Sequence, residues 1–237
     1  MNVDEHAKSN RGFKTWGFSQ SDLLVWRHYR TMGICAALSA HWIKYHAHED
    51  SLANHLGGGG VGPLNVGKLK EIARDHNNLS TMKGISQRDN LELWLQMHGI
   101  KTRQQSRMMT NWKKVKVATS SPIRDMDKKS EAGATKLDVC PNIENDMVTS
   151  MQKYNSCYVR INFGSQSGGH AVAAWLGQPT FRGSGDACFF DPNYGEYWFE
   201  AKADFFKFFP GYYRSKYKSW PMSFDKNWEI LPCALGV

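Results

Sequence analysis

The sequence predicts an α+β domain in which a helical N-terminal half packs on a C-terminal antiparallel β-sheet, and three observations predict it. Apolar residues recur at helical spacing through the first half of the 237-residue chain. From Cys157 onward they fall in short strand-length blocks broken by Gly, Pro, Asn and Asp. Helices come first and strands afterwards, which argues against an alternating βαβ fold. Hydrophobic residues make up 41% and aromatics 13%, so the bulk of the chain is globular. A chain of this length buries roughly 70% of its unfolded surface and needs neither disulfides nor a metal to hold a core.

Residues 1–14 are polar and are expected to be disordered, leaving 15–237 as a single domain. A first helix is expected from about Ser21 to Tyr29, with Ser19 or Ser21 as its N-cap. The next begins just after Gly33 and carries Leu38, Trp42 and Tyr45 at helical spacing. Gly57–Gly60 forms a flexible loop. Helices follow at about 66–77 and 87–98, the second opened by Ser86 with Asp89 three residues on. The charged stretch 120–135 is a surface loop, and Asn142–Lys153 is helical. Strands are expected at Cys157–Phe163, His170–Leu176, Ala187–Asp191, Glu196–Phe199, Asp204–Phe209 and about Glu229–Cys233.

The formal charge is +8 with a pI near 9.2, which favours acidic partners: anionic lipid, nucleic acid or an acidic protein face. Five cysteines, none in a C-x-x-C pair, are the usage of a reducing compartment. The N-terminus has no apolar stretch resembling a signal peptide, and no run of about 18 apolar residues exists to span a membrane. The expectation is synthesis in a cytoplasm and export, if any, by a signal-peptide-independent route.

Cys35 stands among small residues, Gly33 before it and Ala36 and Ala37 after, where a helix starts. A thiol there faces the positive end of the helix dipole, which favours thiolate. Taken alone, it reads as a small buried core residue; its partners carry the case. His170 follows two glycines at the start of a strand, with open space beside it. Asp191 ends an apolar strand at an Asp-Pro step, which is also simply a good turn. If 170–177 and 184–191 form a hairpin whose loop centres near Thr180, His170 falls opposite Asp191, close enough for the carboxylate to orient the imidazole. A helix-borne Cys upstream, with His and Asp on neighbouring strands downstream, is the layout of a thiol hydrolase. His170 would take the Cys35 proton, the thiolate would form a thioester, and water would release it. The Cys35 N–H is one natural oxyanion donor.

Three blocks carry a family resemblance: Gly33-Ile-Cys-Ala-Ala-Leu-Ser39 with Trp42-Ile43, Gly168-Gly-His-Ala-Val172, and Phe189-Phe-Asp-Pro-Asn193 with Gly195. In this order they resemble the YopT-type cysteine proteases, a papain-like family of bacterial virulence effectors delivered into host cells. The resemblance implies a papain-like fold, a triad of Cys35, His170 and Asp191, no cofactor, and a protein substrate in the target-cell cytoplasm. Substrates differ between members, so the substrate does not transfer. Papain-like enzymes usually place Gln or Asn five or six residues before the cysteine as an oxyanion donor; Tyr29 and Arg30 stand there in this chain. Either another side chain, Gln20 or Asn162, supplies the donor or the hole relies on backbone.

Other readings of the sequence compete with this one. A deamidase, transglutaminase or amidase would use the same triad, and a binding module would present only a basic face. Gly62–Leu69 approaches a phosphate-binding loop but has Leu69 where a hydroxyl is required. His41, His46, His48 and His55, with Glu49 and Asp50, are read as a polar face and not a metal site. The Lys207–Lys218 run of bases and aromatics is read as packing with outward lysines. An anionic membrane surface is the secondary partner considered for it, and nucleic acid is not expected. Oligomeric state is left open.

Overall fold

The computed structural model describes residues 1–29, 33–81, 87–102, 142–165, 168–181, 183–219, 224 and 227–236. In chain order its elements are α1 (Val3–Ser9), β1 (Gly12–Trp16), α2 (Leu23–Trp26), α3 (Cys35–Ala47), α4 (Leu52–Leu56), α5 (Val66–Thr81) and α6 (Gln87–Met97). There follow β2 (Ile100–Thr102), α7 (Ile143–Met151), β3 (Cys157–Ser165), β4 (Gly168–Leu176), β5 (Ala187–Asp191) and β6 (Gly195–Phe199). The chain ends with α8 (Lys202–Tyr213), a π turn (Arg214–Lys218) and β7 (Asn227–Leu235). The seven strands form one antiparallel sheet in the order β1-β6-β5-β4-β3-β7-β2. The fold is α+β, as the sequence predicts.

Both faces of the sheet are covered, because its central strands carry apolar residues on both sides. Tyr158, Ala173, Phe190 and Leu231 point toward α3–α6, while Val159, Ala174, Phe189 and Ile230 point toward α1, α7 and α8. α3 lies directly on the sheet and has almost no polar face: Leu38, Ala40 and Ile43 are fully buried and Trp42 nearly so. The Trp42 indole donates to Glu196 Oε2 at 2.7 Å, fixing the helix across β6.

Four expectations need correction. The N-terminal segment is ordered. Asn2 caps α1 by accepting from Asp4 N, Val3 and Ala7 are buried, and Gly12–Trp16 pairs with β6. The Tyr197 hydroxyl donates to Asp4 Oδ1 at 2.6 Å, so a stretch polar in composition is held by contacts nearly 200 residues away. The Ser21–Tyr29 helix is one turn, Leu23–Trp26, and its N-cap is Asp22, not Ser19 or Ser21. Asp204–Phe209 is helical, not extended. Phe205, Phe208, Phe209, Tyr212 and Tyr213 are buried at the 3- and 4-residue spacing of a helix. Finally, the β4–β5 hairpin pairs Ala173 with Phe190 and closes through a Thr180–Gly183 bridge. Its register therefore runs two residues beyond the expected one, and His170 and Asp191 are not directly opposite. Ser86 and the 120–135 loop lie outside the described residues.

Gly195 opens β6 with φ +97°, and a Cβ there would come within 2.1 Å of Trp16 O. Only glycine lets the end of β1 approach this closely. None of the described helices is long and apolar enough to cross a membrane.

Candidate active site

Cys35 is the first residue of α3, and its side chain is only partly exposed. The chain enters the helix through Gly33, whose φ of +136° is a conformation other residues rarely adopt. Ile34, at the N-cap, has no side-chain cap of its own. Its amide donates instead to Gln20 Oε1 at 3.0 Å. One turn along, the Ser39 hydroxyl donates to Ala171 O at 3.0 Å, pinning α3 to the start of β4. The small side chains around Cys35 permit this close approach.

His170 sits two residues into β4, after Gly168 and Gly169, both exposed; a Cβ at Gly168 would meet nothing. Its ring stacks on Tyr217 at 4.8 Å between centroids. Nε2 lies 2.9 Å from Asp191 Oδ1. The register explains how. A shift of two leaves His170 and Asp191 on the same sheet face as diagonal neighbours, still within side-chain reach, whereas a shift of one would have separated them. His170 also forms a side-chain hydrogen bond with Cys35.

Asp191 is completely buried, which costs several kcal/mol for an ionised carboxylate unless its lone pairs are satisfied. They are. Oδ1 takes His170 and, at 2.7 Å, the amide of Asn193; Oδ2 takes the hydroxyls of Tyr212 and, at 2.6 Å, Tyr217. Both tyrosines come from the end of α8 and the π turn after it, and neither is among the sequence-predicted site residues. Their signal is present as the helical spacing of Phe205, Phe208, Tyr212 and Tyr213. Tyr217→Phe is expected to lower stability by about 1.5–3 kcal/mol, the worth of a hydrogen bond to a charged group, measured by urea denaturation.

Electrostatics follow from this arrangement. Burial disfavours charge on His170, but Asp191 and the Cys35 sulfur outweigh it and raise the imidazole to about 10. Burial likewise opposes ionisation of Cys35, yet the His170 charge and hydrogen bond, the Ala171 N–H and Arg160 together hold the thiol below its ordinary value. Each group thus shifts in the direction that favours its charged form. Burial of Cys188 instead pushes its thiol well above the ordinary range, as expected of a core cysteine.

The remaining candidates have other partners. Asn162 donates to Glu229 Oε2 on the neighbouring strand at 3.0 Å. Gln20 is buried beside the N-terminus of α3. Tyr29 donates to Gln20 O at 2.5 Å; burial and the Cys35 charge push its hydroxyl up to about 12. Arg30 lies outside the described residues. The four histidines diverge: His41 meets Asp75, His46 meets the Tyr158 hydroxyl, His48 meets His98 O and His55 meets Asp50. No group of three or more His, Cys, Asp or Glu able to hold a metal occurs among the described residues. Lys68, in the glycine-rich Gly62–Leu69 segment, pairs with Glu71 on α5.

The chain is similar to known cysteine proteases over most of its length. The chain is 26% identical over 202 residues to the cysteine protease YopT of Yersinia pestis, covering 84% of this chain and 56% of that protein. It is 27% identical over the same length to the cysteine protease yopT1 of Yersinia enterocolitica serotype O:8 / biotype 1B. The chain thus spans little more than half the length of these relatives. The crystal structure of the Pseudomonas avirulence protein AvrPphB matches with a TM-score of 0.51 at 15% identity, covering 88% of this chain and 95% of that one, which shows a shared papain-like fold. The model of a peptidase family described as Yersinia/Haemophilus virulence surface antigen matches residues 3–220, and the chain belongs to that family.

Proposed function

We propose that the protein is a cysteine protease in which Cys35 is the nucleophile, His170 the general base and Asp191 the residue that orients it. The observation that carries this reading is the hydrogen-bonded line from Cys35 through His170 to Asp191, with the thiol pKa lowered and the imidazole pKa raised. The thiolate attacks a peptide carbonyl. The imidazolium then gives its proton to the leaving amine, and a thioester remains. Water deprotonated by the same histidine hydrolyses it. The oxyanion meets the Cys35 amide, one of the N–H groups that the first turn of a helix leaves without an intrahelical partner. Asp191 keeps the His170 tautomer fixed throughout.

The substrate is a protein in a host or target cell. The relatives' description as virulence proteins and proteases supports this setting. The test is to incubate the protein with host-cell lysate and compare new protein N-termini with those made by Cys35→Ala. New N-termini that depend on Cys35 are expected. Targets that stay whole but gain about one dalton per site would instead identify the thioester chemistry as deamidation.

A further inference from the structure

We propose that Gln20 is a positioning residue that ties the first turn of α3, and with it the Cys35 sulfur, to the loop after Asp191. The proposal rests on the reading of Cys35 and His170 as nucleophile and base.

Gln20 lies in the loop between β1 and α2 and is 5% exposed. Its backbone and side chain both reach the centre. The amide donates to Pro192 O at 2.7 Å, and the carbonyl accepts from Tyr29. Oε1 accepts from Ile34 N at 3.0 Å, and Nε2 donates to Asn193 Oδ1 at 3.0 Å. Asn193 in turn gives its backbone N–H to Asp191 Oδ1, the oxygen that holds His170, and its side-chain amide to Tyr217. The contacts close a ring: Cys35, His170, Asp191, Asn193, Gln20, Ile34 and back through one peptide bond to Cys35.

The ring matters because its two halves come from different layers. Cys35 rides on a helix, whereas His170 and Asp191 ride on the sheet. Ser39 pins α3 one turn further on, but Gly33, the residue before the N-cap Ile34, has the conformational freedom of glycine. A helix N-terminus without its own side-chain cap frays from there. Gln20 instead holds the N-cap residue's own amide from outside the helix and anchors it to the Asp191 loop. A displacement of about 1 Å at a reacting atom costs on the order of 100-fold in rate, so the tie acts on chemistry as well as on folding.

The test is the rate of iodoacetamide alkylation at Cys35 in the full chain, read by peptide mass spectrometry across pH. Gln20→Met keeps the side-chain length but makes neither hydrogen bond. It is expected to slow alkylation near pH 6.5 by about tenfold and to move the acid midpoint up by about one unit, since the thiolate loses its fixed distance to the imidazolium. A folded Gln20→Met protein with an unmoved midpoint, whatever its melting temperature, overturns the proposal. Should Gln20→Met fail to fold, Asn193→Ala cuts the same bridge from its other end. The same upward shift there supports the proposal, and an unmoved midpoint overturns it. His170→Ala separates the two readings: if its midpoint also stays put, the histidine-activated thiol itself is wrong, and if it moves while the Gln20 and Asn193 variants do not, only the positioning role fails.

Discussion

Cys35→Ala is expected to abolish cleavage, by about 10⁴-fold or more, while changing stability by less than about 1 kcal/mol. The first figure follows from removing the nucleophile of a group that acts as a unit. The second follows from its place: the side chain is small, sits at the first residue of α3, and leaves the His170–Asp191 bond intact. Cleavage assays and thermal denaturation measure the two. A large stability loss would instead mark Cys35 as a core residue.

The same pair sets the pH dependence. His170 is raised from 6.5 to about 10, so its contribution to stability is complete below pH 6.5 and is lost as pH rises through about 10. Cys35 is lowered from 9.0, so its contribution is complete above pH 9.0 and is lost as pH falls through the depressed value. The ion pair fills the window between the two. Alkylation of Cys35 should therefore stay fast well below pH 9, unlike that of an ordinary thiol. Cleavage, which also needs the imidazolium as acid, should fall above about pH 10.

The elements that carry the site are legible in the sequence because local rules govern them. Glycine before Cys35 and small residues after it mark a helix start, and two glycines before His170 mark a strand start. What escapes is set by residues far apart. The hairpin register depends on where the Thr180–Gly183 bridge closes, and turn residues alone leave that uncertain by two. The face nevertheless survives the error, because a slip of two keeps it. Asp204–Phe209 is too short and too apolar for a period of 2 to be told from 3.6; only its continuation to Tyr213 reveals the helix. Composition misreads the first fourteen residues, since their order comes from Tyr197 and β6. Tyr212 and Tyr217 reach Asp191 from 21 and 26 residues downstream.

Those two tyrosines change what is expected of Asp191. A residue that only orients the base, and makes or breaks no bond, would be the mildest of the three to lose. In the structure the carboxylate is fully buried and accepts from His170, Asn193 N, Tyr212 and Tyr217. Asp191→Ala strands all four donors and leaves the His170 cation without its counter-charge. The expected loss is about 3–5 kcal/mol, the cost of breaking a buried charged pair from one side. This exceeds the expected loss for Cys35→Ala severalfold. Asp191→Asn separates orientation from folding. It keeps the shape, and one oxygen can still accept from Tyr212 and Tyr217, but the amide NH2 in place of Oδ1 accepts from neither His170 nor Asn193 N. A protein that is folded by urea denaturation yet has the acid limb of Cys35 alkylation shifted upward is the expected result. If Asp191→Ala instead unfolds at the same urea concentration as the unsubstituted chain, the buried network contributes nothing net and Asp191 serves His170 alone.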